Sequence, residues 1–228
     1  MRTQADQQLS HNPSNPGDPG VSVADDPVTL PWWRSATNLA TIAVAIAVLG
    51  AAFGYVVGNN RALPDPNSTD VGFLQDMRVH HEQAVQLSLI YLDTTGTEPS
   101  LATTAREIVV GQNIEIGRMI QLLRDFGESE VNETDIAMAW MGAPVALDRM
   151  PGLATADDLV ALRTATGADA DAIFVRLMTA HHQGGIHMAD DAATHASTKE
   201  VATMAEQMAN GQRGEIADMA RLLELSTR

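Results

Sequence analysis

From Asn38 to Asn60 the chain reads NLATIAVAIAVLGAAFGYVVGNN, apolar on every helical face, with no charged residue between Arg34 and Arg61. About twenty apolar residues at helical rise match the ~30 Å hydrocarbon core of a bilayer. The pattern therefore predicts a membrane-spanning helix over 35–60, with residues 38–58 in the bilayer. Trp32 and Trp33 precede it and Tyr55 lies near its far end, where amphipathic rings favour the membrane–water boundary. A cleaved signal peptide would have a shorter apolar run and a small-residue cleavage site; neither is present here. Beyond Arg61 the apolar positions take up the helical period. Val201, Met204, Met208, Ile216, Met219, Leu222 and Leu223 recur at steps of three, four and seven, as one buried helix face requires.

This periodicity predicts four principal helices. The first covers 70–93, capped by Ser68 or Thr69. The second covers 100–126, capped by Ser100 after the break at Gly96 and Pro99, and stopped by Gly127. The third and fourth cover 168–195 and 198–226. A connection over 127–167 is expected to hold short helices at 133–141 and 156–164, separated by Gly142, Pro144, Pro151 and Gly152. Alternation suited to strands is scarce. Residues 1–34 are rich in Pro, Gly, Asn, Asp and Gln and read as a disordered tail. Residues 61–69, with two prolines, read as a linker to a domain over 70–228.

That domain says one thing twice. FLQDMRVHHEQ at 73–83 returns as FVRLMTAHHQG at 174–184, and GQNIEIGRMIQLL at 111–123 returns as GQRGEIADMARLL at 211–223. Phe73, Met77, His80 and His81 thus match Phe174, Met178, His181 and His182. Gly111, Gln112, Glu115 and Met119 match Gly211, Gln212, Glu215 and Met219. Two hairpins, 70–126 and 168–228, joined by a long crossover predict an all-α fold: a ferritin-like four-helix bundle. Gly111 and Gly211 each cost about 1 kcal/mol inside a helix. Their recurrence suggests close helix approach or room for a bound group.

Charge narrows the partners. Residues 61–228 hold 12 basic and 25 acidic side chains, part of a net charge of −15. No Lys/Arg cluster exists, so nucleic acid is excluded as a partner, whereas an acidic surface concentrates cations. With Arg2 and Arg34 before the apolar helix and Arg61 after it, the charge bias places the C-terminal domain outside the cytoplasm. The chain has no Cys, which removes disulfides, thiolate zinc sites and cysteine nucleophiles.

The remaining chemistry lies in histidine and methionine. Six of the seven histidines lie in or near the repeats, and only His11 lies elsewhere. Residues three or four apart share a helix face, so Met77 sits beneath His80 and His81, and Met178 beneath His181 and His182. Met188, ten residues after Met178, returns to the His181 side. Imidazole and thioether together suit copper, the thioether favouring Cu(I). Glu115 and Glu215 could accept the second ring N–H of a ligating histidine, and Met119 and Met219 could close the site from the partner helices. His187 falls on the opposite face, at the surface or in a more exposed second site. His195 sits at a helix end where a cation is favoured. Packing and hydrogen bonding form the competing account: Met204 and Met208 read as core, and the His-His pairs could be a polar network. No Glu stands three residues before any histidine, so the Glu-x-x-His pattern of di-iron bundles is missing. No G-x-S-x-G, P-loop, dinucleotide-binding glycine pattern or H-E-x-x-H is present either, and no catalytic residue is assigned. Asp76 with His80 could serve as an acid–base pair, but Leu177 occupies the second copy.

FVRLMTAHHQGGIHMA at 174–189, GQRGEIADMARLL at 211–223 and MPGLATADDLVALRTATG at 150–167 resemble the family called domain of unknown function 305. The resemblance extends over about 70–228. It implies a ferritin-like four-helix fold of a kind that includes periplasmic copper-binding proteins. It also implies copper ligands at Met178, His181, His182 and Met188, and in the first copy at Met77, His80 and His81. The first copy departs from this pattern with Glu82, Gln83 and Leu87 in place of Gln183, Gly184 and Met188, which leaves its site one sulfur short. A membrane-anchored extracytoplasmic protein binding copper for tolerance or delivery is the expected function. The alternative is a non-catalytic accessory or assembly subunit of an envelope or respiratory membrane complex.

Overall fold

The computed structural model describes residues 31–59 and 63–226, so most of the tail expected over 1–34, His11 included, lies outside the described residues. The chain parts at Arg61 into two compact units. In the first, a 3-10 turn at Trp32–Arg34 leads into α1, Ala36–Asn59, and Asn38 Nδ2 donates to the Trp32 carbonyl at 2.6 Å. The 21 residues Ala36–Val56 are long and apolar enough to cross a membrane, and none of their most apolar stretch is buried.

The second unit is a bundle of α2 (Thr69–Leu92), α3 (Pro99–Phe126), α5 (Gly167–His195) and α6 (Lys199–Ser226), with the short α4 (Ala156–Thr164) in the crossover. α2 pairs with α3 and α5 with α6, and the two hairpins meet chiefly through α2 and α5. Helix ends follow local chemistry. Ser68 caps α2 by accepting from Val71 N–H at 3.4 Å. Glu98, rather than Ser100, caps α3, accepting from Ser100 N–H. Pro99 then occupies the first helical position, where its missing N–H costs nothing. α3 ends at Gly127, whose φ of 77° is the left-handed conformation that glycine adopts without strain.

α2 and α5 run antiparallel, with His80 beside His181 and Tyr91 stacked on Phe174 at 4.1 Å between ring centroids. Near their N-terminal ends they carry a pair of aspartates at matching repeat positions, Asp70 and Asp171. Buried Asp70 accepts from Ser197 N–H, Ser197 Oγ–H and Thr198 N–H at 2.7–2.8 Å, at the start of α6. Buried Asp171 accepts from Glu98 N–H at 3.1 Å, at the start of α3, and from Tyr91 Oη–H at 2.5 Å. Each hairpin thus caps the other.

The crossover differs from expectation over 133–141. Instead of a helix, Ile136–Ala137 (β1) pairs antiparallel with Val145–Ala146 (β2), with a 3-10 turn at Ala139–Met141 between them. Its cause is distant in sequence. Asp76, 1% exposed, accepts from Asn132 Nδ2–H, Met138 N–H and Trp140 Nε1–H at 2.7–2.8 Å, while Met138 takes a positive φ of 60°. These bonds outweigh local helix preference. They also employ Asp76 as a clasp for the crossover rather than as a partner for His80. The other short helix predicted in the crossover, 156–164, is present as α4, held by a Thr155–Asp158 capping box.

The buried apolar side chains form two clusters. One contains Phe73, Met77, Met119, Leu123, Met188, Val201, Met204 and Met208. The other contains Leu87, Tyr91, Leu101, Ile108, Phe174, Met178 and Met219. Gly111 and Gly211 belong to neither: both are exposed, and a Cβ at either would touch nothing within 4 Å. The expectation of close helix approach or a bound group there is therefore overturned.

Candidate metal centre

The buried face of α2 is unusually polar, which follows from its sequence: Asp70, Asp76, His80, His81 and Ser88 are all buried. On both α2 and α5 the His-His pair falls between a residue of one apolar cluster and a residue of the other. The four histidines therefore make a polar layer across the bundle, and each is 0% exposed. His80 and His181 lie ring against ring, with centroids 3.8 Å apart and planes inclined by 35°.

Every ring uses its Nε2 in the same way. His80 donates to the Pro151 carbonyl at 3.1 Å, and His181 donates to the His80 carbonyl at 2.8 Å. A carbonyl can only accept, so both rings carry their proton on Nε2. His81 bonds Glu115 Oε2 at 2.8 Å, and His182 bonds Glu215 Oε2 at 2.5 Å; a carboxylate likewise takes the Nε2 proton. The Nδ1 atoms of all four are buried and have no hydrogen-bond partner. Burial lowers the His80 pKa to about 3, assisted by its neighbours His81 and His182 and opposed by the Pro151 carbonyl. Burial, then His80 and His182, holds His181 well below the usual imidazole range. These two rings are neutral, with bare Nδ1 lone pairs facing no donor.

That arrangement fits a metal. An imidazole whose N–H is fixed by a carboxylate or carbonyl presents its other nitrogen as a ligand, and a buried acceptor without a partner costs roughly 1–3 kcal/mol. Among the described residues, however, no three His, Asp or Glu side chains come together closely enough to hold an ion. A ligand set here would need other donors. Methionine supplies them: Met77, Met119, Met178, Met188 and Met219 are all 0% exposed.

The clusters distribute those sulfurs across the repeats. Met188 shares a cluster with Met77 and Met119, whereas Met178 shares one with Met219 and with Leu87. Met178 and Met188 share a helix face, but ten residues at 1.5 Å rise separate them by about 15 Å along the axis. Because α2 and α5 are antiparallel, the second repeat's extra methionine joins the first repeat's cluster. The sulfur-poor half is the one containing Met178. His187 is exposed, and so is His195, whose Nδ1 donates to the Asp191 carbonyl at 3.0 Å and lies 3.2 Å from the Asp191 carboxylate.

The crossover covers this layer differently over the two repeats. Gln83 makes two bonds to Ala154, from Nε2 to its carbonyl at 3.0 Å and from its N–H to Oε1 at 2.6 Å. At the matching position of α5, Gly184 abuts Pro151, and a Cβ would fall 1.8 Å from the Pro151 oxygen. Sequence reasoning could not see the Pro151 and His80 carbonyls, since backbone acceptors leave no residue signature. Gln112 and Gln212, buried to 3% exposure, did leave one in their recurrence. They were not among the candidate site residues.

Comparison with known proteins agrees with this architecture. The family model described as Domain of unknown function (DUF305) matches residues 70–223. The chain belongs to the DUF305 family. A putative secreted DUF305 protein from Streptomyces coelicolor is 35% identical, with a TM-score of 0.66 over 72% of this chain and 96% of that one. A DUF305 fragment from Deinococcus radiodurans is 28% identical, with a TM-score of 0.58 over 68% and 95%. CopM in its Cu(I)-bound form is 27% identical, with a TM-score of 0.50 over 68% and 95%. No curated protein matches the sequence. This DUF305 chain is thus a helical bundle whose structural neighbours include a copper-bound protein.

Proposed function

We propose that this protein binds copper through the buried histidine layer and its flanking methionines, and serves in copper tolerance or delivery. The four partnerless Nδ1 atoms carry the reading. A purely structural polar network would satisfy its ring nitrogens, as buried polar groups usually are; this one leaves half of them bare. His80, His81, His181 and His182 would supply nitrogen, and Met77, Met119, Met178, Met188 and Met219 sulfur. Glu115 and Glu215 would orient His81 and His182. Thioether sulfur favours Cu(I), and CopM, solved with Cu(I) bound, supports the choice of metal. The cluster of Met77, Met119 and Met188 is the sulfur-rich half and the stronger candidate for Cu(I). A net charge of −15 would draw cations toward the domain.

In this reading α1 anchors the domain at the outer face of the cytoplasmic membrane, since its length and composition suit a membrane span. The second reading, an accessory subunit of a membrane complex, would use the histidines as a packing layer. One experiment separates them. The full chain, extracted with detergent from the membrane fraction, should bind Cu(I) in competition with a chelator. Met77→Leu with Met188→Leu should weaken that binding at least tenfold. Unchanged affinity in the double variant would remove the sulfur-rich site, and recovery of the protein only from the soluble fraction would remove the anchor.

A further inference from the structure

Each His–Glu pair has a second neighbour on the partner helix. On α3 the order is Gln112, Glu115, Met119; on α6 it is Gln212, Glu215, Met219. Residues three and four apart share a helix face, so each carboxylate stands between an amide one turn before it and a thioether one turn after. The thioethers are packed among apolar side chains. The amides are not accounted for. Both glutamines are 3% exposed, and in both the amide oxygen Oε1 is buried without a hydrogen-bond partner; Gln212 Nε2 is equally bare.

In the second repeat the surroundings accommodate the amide. Gln212 Oε1 lies against Gly185, where a Cβ would stand only 2.5 Å away, so the second repeat leaves space that an alanine would close. Gly185 is one turn beyond His181 and His182 on α5. Burying an amide with nothing to bond costs a few kcal/mol, and the same choice is made in both repeats. A group retained twice at such a cost, one turn from the glutamate that holds a buried histidine ring, has the marks of a ligand donor.

We propose that Gln112 and Gln212 each supply a side-chain oxygen to the metal layer, so that the protein holds Cu(II) as well as Cu(I). The inference rests on the copper reading above. Its chemistry is hard against soft: an amide oxygen with imidazole nitrogen suits Cu(II), while thioether sulfur suits Cu(I). The two oxidation states would then draw on opposite sides of each His–Glu pair, oxygen before it and sulfur after it.

The test compares the wild-type full chain in detergent with Gln112→Met/Gln212→Met, which keeps volume but replaces oxygen by sulfur. Cu(II) and Cu(I) affinities are measured separately by chelator competition, and thermal unfolding is followed without metal. The expected result is at least a tenfold loss of Cu(II) affinity with Cu(I) affinity kept or raised. The metal-free variant should melt higher, because two unsatisfied amides have gone. Gln112→Glu/Gln212→Glu, which keeps the oxygens, should retain Cu(II). Cu(II) affinity unchanged in the methionine variant, or both affinities falling together, would overturn the inference while leaving the copper reading intact. A wild type that binds neither ion would overturn both.

Discussion

A histidine in this bundle is defined by what each of its two nitrogens meets. Nε2 of His80 and His181 is committed to backbone carbonyls, and burial keeps both rings neutral, His80 with a pKa lowered to about 3. An unfolded imidazole titrates near 6.5. Below that pH the unfolded chain binds protons that the folded chain refuses, so stability is full above about 6.5 and falls as pH drops toward 3. Between pH 7 and 5 His80 alone should cost the metal-free protein about 2 kcal/mol, from roughly 1.4 kcal/mol per pH unit below 6.5, with His181 adding in the same direction. Urea midpoints at the two pH values check this, and the difference should shrink in His80→Gln; a pH-independent midpoint would show that the rings are hydrated rather than sealed. The His-His pairs, their flanking methionines and the two glutamates were legible because the sequence repeats them. The tautomers were not, being set by carbonyls of Pro151 and His80. Nor was the grouping of Met188 with Met77, which depends on helix direction across the interface.

Helices were the most readable level. Apolar periodicity placed α2, α3, α5 and α6 to within a residue or so, and glycine and proline marked their ends. The crossover was less readable, because three hydrogen bonds to Asp76 decide the backbone over 132–140 from more than fifty residues away. Glycines mislead in a similar way, since recurrence alone does not say what surrounds them. Gly111 and Gly211 repeat, yet their surroundings are open; Gly184 does not repeat, yet Pro151 fills the space beside it. The consequences are opposite in sign. Alanine at both 111 and 211 should stabilise the bundle by about 0.5–1 kcal/mol each, through restored helix propensity. Gly184→Ala should destabilise by about 1–3 kcal/mol, because backbone must move to admit the methyl group. Thermal melts of the two variants make the comparison. A stabilised Gly184→Ala would mean that the crossover is not seated on α5.

Taken as a whole, the second unit is two hairpins that each lack something the other supplies. The duplication made a bundle predictable but did not show how the halves are joined. Asp70 of the first hairpin satisfies the N–H groups at the start of α6, and Asp171 of the second satisfies that at the start of α3. Burial pushes the Asp70 carboxyl upward, but the bonds from Ser197 and Thr198 outweigh it and hold the pKa below the ordinary value. Asp70 is 0% exposed, and its loss would take from the Ser197 and Thr198 N–H groups, which lie nearer the surface, the acceptor that fixes the start of α6. A capping side chain is worth about 0.5–2 kcal/mol. Asp70→Ala should therefore cost about 1–2 kcal/mol of global stability. Because the cap crosses between hairpins, that loss should not stay in α6. Hydrogen exchange at the slowest amides of α3 and α6 should accelerate by a common factor, since both open only when the whole bundle does. Acceleration confined to α6 would mean that the hairpins unfold independently. The histidine layer, built from both, would then lose the rigid frame that keeps its ring nitrogens dry.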